Sequence, residues 1–314
     1  MENIVEYIRR SVVSGLFQLN SVSNNWGLWQ AKINQEVRAK TASNILSLGD
    51  KLSDVFETTR VAGRSQNTVS TGGTAWEGLV CWYLNLCLIG TNTVVIRQNK
   101  KLMPAPISDS LTVNYGTFTS NTESDLVAIT FPDDQNYQID KNDISVLDDD
   151  NQLIPTTKRR SNSYNYQKII NSLTAGDFDK LEVCVIQCKT NWNDNAQIPM
   201  LWDMIYYSTG FSSSRIQVGR NGFTITDLRK FRYAFMTVPT VNINGFKADS
   251  TAVQRVRHLS GGNFWGHYSK PSVAHSIKEI FNKNFSNAVT NRSLRANLGN
   301  EICNLDSTYS YFQL

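Results

Sequence analysis

The sequence predicts a mixed α/β protein with a central sheet flanked by helices, a helical region before it and an α+β extension after it. Three observations predict this fold class. Apolar residues recur at helical spacing through residues 4–56. From residue 75 onward, helix-like and strand-like apolar segments alternate, and no internal repeat or low-complexity tract interrupts them. Such alternation is typical of a sheet that carries helices on its faces.

The composition argues against a disordered chain and against a membrane-spanning one. The 314 residues are 40% hydrophobic and 18% charged, which provides enough apolar surface for a large ordered core. The longest apolar run, residues 76–89, contains Glu77 and Asn85 and is shorter than the about 20 residues that a bilayer span needs. The first residues carry Glu2 and Glu6 where a secretory signal carries positive charge. We therefore expect a cytoplasmic protein with no membrane partner.

The cysteines are consistent with that compartment. There are five, an odd number, and most lie inside apolar segments, as expected of small buried hydrophobes in a reducing environment. A metal cluster built from Cys81, Cys87, Cys184 and Cys188 is the alternative, although their spacings match no C-x-x-C pattern.

Charge is divided unevenly along the chain. Residues 1–150 hold 12 Lys and Arg against 17 Asp and Glu, and residues 151–314 hold 19 against 10. The two halves therefore carry formal charges of −5 and +9 within a total of +4. A polyanion would suit the second half, but scattered basic residues are also an ordinary solvated surface. Charge alone leaves both interpretations open.

Residues 1–74 form the predicted N-terminal helical region, which is a candidate dimer interface. The apolar spacing predicts two or three helices there, with a break near residues 21–25. The polar segment 65–74 contains a Gly-Gly pair, so we expect a loop that leads into a buried helix over residues 75–88.

Short segments rich in β-branched and aromatic residues predict the strands. They are residues 91–97, 125–131, 181–189 and 231–238. The segment 132–180 has acidic and basic clusters and little apolar periodicity. We interpret it as a long insertion with a helix near residues 164–173. Two more helices are predicted, over residues 199–207 and 271–285.

Four polar side chains occur in these core elements where apolar ones would be expected. Strand alternation places Gln187 and Lys189 on one face at the carboxyl end of their strand. Asp125 opens the preceding strand, and Glu77 lies in the first turn of the helix predicted from residue 75. Carboxylate and amide oxygens suit a magnesium ion, and a lysine beside it orients or deprotonates water. A metal ion held by such oxygens and a lysine beside it are the groups that phosphodiester hydrolysis needs.

Each of the four residues also has an ordinary structural interpretation. Thr74 and Glu77 fit a capping box, in which Glu77 satisfies a helix N–H. Asp125 could belong to a turn, and Lys189 could mark the point where a strand reaches solvent. Gln187 could be a hydrogen-bonded amide in the core. The catalytic interpretation depends on all four occurring together in the predicted order of elements.

Asp125, followed by the tripeptide Gln187-Cys188-Lys189 at the end of a later strand, resembles the signature of the PD-(D/E)XK nuclease superfamily, which is an Asp followed by (Glu/Gln)-x-Lys. The resemblance covers residues 75–238 apart from the insertion. It implies a restriction endonuclease-like αβββαβ core and a Mg²⁺ cofactor.

The resemblance also implies a role for each matching residue. Asp125 and Gln187 would be metal ligands, helped by the backbone carbonyl of Cys188. Lys189 would be the catalytic lysine and Glu77 an accessory acid. Gln187 stands where most members have an acid, as in the Gln-x-Lys branch that includes modification-dependent enzymes, and it removes one negative charge from the metal site. The interval of 62 residues between Asp125 and Gln187 is longer than usual, and the insertion accounts for most of it.

Polar and basic residues near this motif are candidate DNA contacts. Amide side chains bind phosphates or base edges, and basic clusters bind phosphates. The candidates are Asn191, Asn193, Lys158, Arg159 and Arg160. The alternative for the two asparagines is a loop that caps the following helix.

The resemblance implies a Mg²⁺-dependent endonuclease acting on double-stranded DNA, of the type II restriction class. Residues 75–240 would be the nuclease core with its insertion at 132–180, and residues 241–314 a C-terminal extension that contacts DNA. We expect a homodimer, because cutting both strands of a palindrome takes two sites related by twofold symmetry. The alternatives are a modification-dependent or phage-defence nuclease, a catalytically silent nucleic-acid-binding protein, and a structural protein without a nucleic-acid partner.

Overall fold

The computed structural model describes residues 2–61, 69–97, 101–121, 124–148, 150–190, 216–239, 243–258 and 261–314. Within these residues the chain is a mixed α/β protein built on a six-stranded mixed sheet, which confirms the fold class at that level. The helix predicted at 199–207 and the candidate DNA contacts Asn191 and Asn193 lie outside the described residues.

Five α-helices precede the first strand in the described residues. The first four are α1 Ile4–Leu16, α2 Asn20–Glu36, α3 Ala42–Ser47 and α4 Leu52–Val61. The predicted break near residues 21–25 is wrong, because the chain turns at residues 17–19 and continues as one helix. Val22 and Trp26 keep the helical spacing into the core. Between them, the Asn25 side chain donates to the Ser21 carbonyl at 2.7 Å, so this polar residue is satisfied within the helix.

Helix α5 spans Val69–Cys87 and is buried over most of its length from Ala75 onward. It begins six residues before the helix predicted from residue 75, so the expected loop over 65–74 is wrong from residue 69. The Gly-Gly pair inside it costs about 1 kcal/mol per glycine relative to alanine, and the buried apolar face of the helix offsets that cost. Thr74 therefore lies within the helix, and the capping-box interpretation of Glu77 is wrong because a capping residue must precede the first helical turn.

The strands are β1 Thr93–Arg97, β2 Thr112–Tyr115, β3 Phe118–Asn121, β4 Leu126–Thr130, β5 Glu182–Lys189, β6 Ile216–Val218, β7 Lys230–Thr237, β8 Asn263–Trp265 and β9 His275–Ser276. The central sheet has the order β1-β4-β5-β7-β8-β9. Its first two pairings, β1 with β4 and β4 with β5, are antiparallel, and the remaining three are parallel. The four predicted strands are confirmed as β1, β4, β5 and β7. Strands β2, β3 and β6 form a separate antiparallel sheet.

The remaining α-helices of the described residues are α6 Ala105–Ser110, α7 Gln135–Gln138, α8 Tyr166–Gly176, α9 Thr251–Arg257, α10 Ile280–Lys283 and α11 Asn291–Glu301. Helix α8 confirms the helix expected in the insertion. The continuous helix predicted over 271–285 is wrong. Ser272 adopts a left-handed φ of 61°, the Lys270 N–H donates to the Ala274 carbonyl at 2.9 Å, and this turn directs the next residues into β9.

A buried amide closes the outer edge of β1. The Val95 N–H donates to Asn85 Oδ1 at 3.1 Å, and Asn85 Nδ2 donates back to the Val95 carbonyl at 2.8 Å. The buried guanidinium of Arg9 then joins α1 to this corner by donating to the Thr91 carbonyl at 3.1 Å, while Glu6 pairs with it at 3.0 Å. Helices α1 and α5 therefore cover an edge that would otherwise expose unpaired backbone.

One hydrophobic cluster runs from Ile4 to Phe312 and joins the N-terminal helices, the central sheet and the C-terminal segment. A smaller cluster lies beneath α9 around Phe246 and Trp265. Among the described helices, none combines the length and the apolar character needed to cross a membrane.

We expect Asn85→Ala to destabilise the protein by about 2 to 4 kcal/mol, because it leaves the buried N–H and C=O of Val95 without partners and opens a small cavity. Urea unfolding followed by circular dichroism measures the change. Asn24→Ala is the matched control, since Asn24 is an exposed asparagine on α2 and its replacement should change stability by less than about 0.5 kcal/mol. Equal effects of the two substitutions would contradict the assigned role of Asn85.

Candidate active site

The carboxylate of Asp125 lies against the backbone at the end of β5. Its Oδ2 accepts a hydrogen bond from the Cys188 N–H at 2.7 Å. Strand β4 pairs antiparallel with β5, with Leu126 opposite Ile186, so the residue that precedes β4 is brought to the carboxyl end of β5. Hydrogen bonds to a charged acceptor are stronger than neutral ones. This bond therefore fixes Asp125 beside the Gln-x-Lys tripeptide.

Three charged groups act on the thiol of Cys188. Burial raises the pKa of this thiol well above its usual range, and the carboxylates of Asp125 and Glu77 raise it further. The neighbouring thiol of Cys81 adds to the increase, while the ammonium group of Lys189 lowers the pKa. All three charges therefore act on the electrostatics of one buried sulfur.

Glu77 lies on α5 and is paired with a cation. Arg97 Nε, at the end of β1, lies 3.1 Å from Glu77 Oε2. The two side chains are 28% and 17% exposed, respectively, so the pair is only partly desolvated. Glu77 is therefore an acid held in place by an ion pair across α5 and β1.

Gln187 is fully buried and participates in a protein hydrogen bond. Its Oε1 accepts from the Tyr233 hydroxyl at 3.0 Å, and Tyr233 lies on β7 opposite Val185. This is the geometry of a core amide that joins two strands. The oxygen assigned by resemblance as a metal ligand is thus already in contact with a donor, although a carbonyl oxygen has two lone pairs.

The carboxylates that the predicted site offers to a metal ion are those of Asp125 and Glu77. Across residues 2–314 apart from the undescribed gaps, His, Cys, Asp and Glu side chains form no group of three or more that could hold a metal ion. Magnesium usually keeps several waters and takes one or two carboxylates. Asp125 and Glu77 supply two, and each carboxylate has lone pairs beyond the one that accepts from Cys188 or Arg97.

The basic cluster of the insertion lies at the tip of a hairpin. Thr157 and Tyr164 pair across the hairpin, and Asn162 turns the chain with a left-handed φ of 48°. Lys158, Arg159 and Arg160 are all exposed. The structure therefore presents three consecutive cations to solvent.

Two residues that contact the predicted site were not identified from the sequence. Arg97 pairs with Glu77, and Tyr233 donates to Gln187. Both lie in strands that were predicted, but strand periodicity does not identify which residues of neighbouring strands meet. A basic residue ending β1 is the one sequence signal that could have indicated the partner of Glu77.

No protein-family model matches the chain, and no curated protein sequence matches it.

The cysteines give a direct test of burial around this site. Cys81, Cys87, Cys184 and Cys188 are buried, whereas Cys303 is exposed. Burial raises the pKa of the Cys81 and Cys184 thiols to about 12. A thiol with a raised pKa stays protonated, and therefore unreactive, until the pH approaches that value.

We expect Ellman's reagent to titrate one thiol rapidly in the native protein at pH 8 and no additional thiol at pH 9.5. Cys303→Ser should remove the rapid phase, because the other four thiols are shielded and protonated. Unfolding in guanidinium should release all five. Rapid reaction of a second thiol in the native protein would show that the region around Cys188 is open.

Proposed function

We propose that this chain is a Mg²⁺-dependent endonuclease of the PD-(D/E)XK superfamily that hydrolyses phosphodiester bonds in double-stranded DNA. The observation that carries the proposal is the 2.7 Å hydrogen bond from the Cys188 N–H to Asp125. It joins the acid of the motif to the Gln-x-Lys tripeptide across 63 residues of sequence, at the strand end that carries Lys189.

The order of elements supports the same proposal. Helix α5 leads into β1, β4 and β5, which pair antiparallel in that order, and β7 is added parallel to β5. An αβββαβ core of the restriction endonuclease type has this arrangement, with its second helix between β5 and β7. Part of that connection lies outside the described residues.

Asp125 and Glu77 would hold the magnesium ion. When bound, the ion polarises the phosphate and lowers the pKa of a coordinated water. Asp125 is fixed in advance by the Cys188 N–H, so its carboxylate needs little reorganisation during the reaction. Lys189 carries an ammonium group that would stabilise negative charge developing on the phosphate oxygens and orient the attacking water.

Gln187 has a positioning role in this proposal. Its bond to Tyr233 joins β5 to β7 two residues before the strand ends at Lys189. The bond therefore fixes the strand end from which the lysine projects.

The more specific form of the proposal is a cytoplasmic type II restriction enzyme that acts as a homodimer. Cutting both strands of a palindromic site takes two active centres related by twofold symmetry. The formal charge of +9 over residues 151–314 supports a polyanionic partner, because lysine and arginine release counterions from DNA phosphates.

A catalytically silent nucleic-acid-binding protein with the same fold is the second candidate. The contacts of Gln187 with Tyr233 and of Glu77 with Arg97 favour it, because these two groups of the motif are already engaged within the protein. Such a protein would bind DNA through its basic surface and leave it intact.

For the nuclease, we expect purified protein to cut unmethylated phage DNA in Mg²⁺ and to leave it intact in EDTA. Asp125→Ala and Lys189→Ala should each lower the cleavage rate by about 10²- to 10⁴-fold, the range for loss of a group acting in the chemical step. Initial rates from gel electrophoresis measure the effect.

Asp179→Ala and Lys168→Ala are the matched controls for that experiment, because both residues are exposed and lie away from the motif. Discrete fragments would support the restriction class, and a smear would support a nonspecific effector. Cutting of methylated DNA alone would indicate a modification-dependent enzyme. If the wild type and all variants bind DNA and leave it intact, the nuclease proposal is wrong and the silent binding protein takes its place.

The hairpin cations give a separate prediction. Arg159→Gln combined with Arg160→Gln should weaken DNA binding and lower the slope of log K against log salt by about 2, since each phosphate contact contributes about one unit. Fluorescence anisotropy in EDTA at several salt concentrations measures the slope. Arg292→Gln with Arg295→Gln removes two exposed charges from α11 as the control. Equal losses for the two pairs would show that the hairpin has no special contact.

A further inference from the structure

A cleft of about 530 Å³ lies at the edge of the central sheet opposite β1. One wall comes from Val253 and Arg257 of α9, the second from residues 261–263 at the start of β8, and the third from Lys270 and residues 272–275 at the start of β9. Strands β7 and β8 separate this edge from β5, so the cleft is distinct from the Asp125 site.

The cleft is lined by cations and by no carboxylate among its described residues. Arg257 is exposed, and its guanidinium makes no ion pair within the part of the chain that the structure describes. Lys270 Nζ donates to the Ile243 and Phe246 carbonyls, each at 2.6 Å. Because these carbonyls are neutral, they orient the ammonium group and leave its formal charge uncompensated.

The wall leading into β8 consists of closely packed backbone. A Cβ atom at Gly261 would lie 0.9 Å from the Tyr233 carbonyl oxygen, and Gly262 has a φ of 94°. The next residue, Asn263, is 6% exposed, and its Oδ1 accepts from the Thr237 hydroxyl at 3.1 Å. This wall is therefore rigid, and β7 orients the amide that ends it.

His275 adds a polar group to the wall without adding charge near neutral pH. Burial lowers its pKa below the usual value, and Lys283 lowers it further against the opposing effect of Glu279. A neutral imidazole offers one N–H donor and one acceptor. Glu279 is a carboxylate near this side of the cleft, and its charge raises the pKa of His275.

We propose that this cleft binds the phosphate group of a nucleotide, with Arg257 as the principal phosphate contact and Lys270 as a second, oriented cation. Its volume falls in the range of about 300 to 1,000 Å³ that is typical of small-molecule sites, which suits a nucleotide. The nucleotide is either free in solution or part of a nucleic-acid strand. This inference does not depend on phosphodiester hydrolysis at Asp125.

The test is a binding titration of the full chain in EDTA, where Mg²⁺-dependent cleavage does not occur. Isothermal titration calorimetry uses deoxyadenosine 5′-monophosphate and inorganic phosphate, and fluorescence anisotropy uses a 5′-phosphorylated oligonucleotide of twelve nucleotides.

Arg257→Gln should weaken binding of the nucleotide probe by about 10- to 100-fold, the loss expected for one charged hydrogen-bonding partner. Ser272→Asp, which places a carboxylate on the β9 wall, should weaken it similarly. Arg255→Gln is the control, because Arg255 is exposed on the same helix and does not line the cleft.

Binding of the mononucleotide, of the oligonucleotide or of both, with the loss confined to the two cleft variants, supports the inference and identifies the source of the phosphate. Failure of the wild type to bind the mononucleotide and the oligonucleotide, whether or not it binds inorganic phosphate, would overturn it, as would equal effects of Arg257→Gln and Arg255→Gln. Melting temperatures verify that each variant is folded. Loss of cleavage in the Asp125 and Lys189 variants leaves this result unchanged, so the two proposals fail separately.

Discussion

The burial of β5 is the constraint on which the fold and the site both depend. Six of its eight residues are buried, and both of its edges are paired, with β4 on one side and β7 on the other. A polar side chain in such a strand requires a partner, and Gln187 finds it in the Tyr233 hydroxyl. A shift of one residue in register would exchange the two faces of the strand, so the same pairing that buries Gln187 also determines where Lys189 projects.

The N-terminal helices are part of this arrangement. Arg9 and Asn85 bind the backbone of the turn before β1 and of β1 itself, and Trp82 of α5 donates to the Phe312 carbonyl at 3.0 Å. The first and last segments of the chain therefore enclose the same helix. Because a single core joins them to the sheet, the N-terminal segment covers a sheet edge in addition to any role it has in assembly.

The four longer strands could be predicted because each is an apolar run rich in β-branched or aromatic residues, which is the composition of a buried strand. The shorter strands β8 and β9 could not, because two or three residues carry no periodicity and pair only when distant segments supply a neighbour. The apolar spacing of residues 271–285 suggested a helix, but the turn at Ser272 overrides it. Within the candidate site, the predicted order of elements was enough to anticipate that Asp125 lies close to Cys188. The partners Arg97 and Tyr233 depend on cross-strand register, which one sequence does not reveal.

Tyr233 occupies an unusual place in this architecture. Its hydroxyl bonds Gln187 beside the Asp125 site, whereas its carbonyl accepts from Asn284 Nδ2 at 3.1 Å and lies against Gly261 in the wall of the basic cleft. The backbone at Gly261 has no room to approach β7 without displacing that carbonyl. One residue therefore contacts both surfaces, since its hydroxyl binds the Gln187 side chain and its carbonyl limits how closely the Gly261 backbone can approach β7.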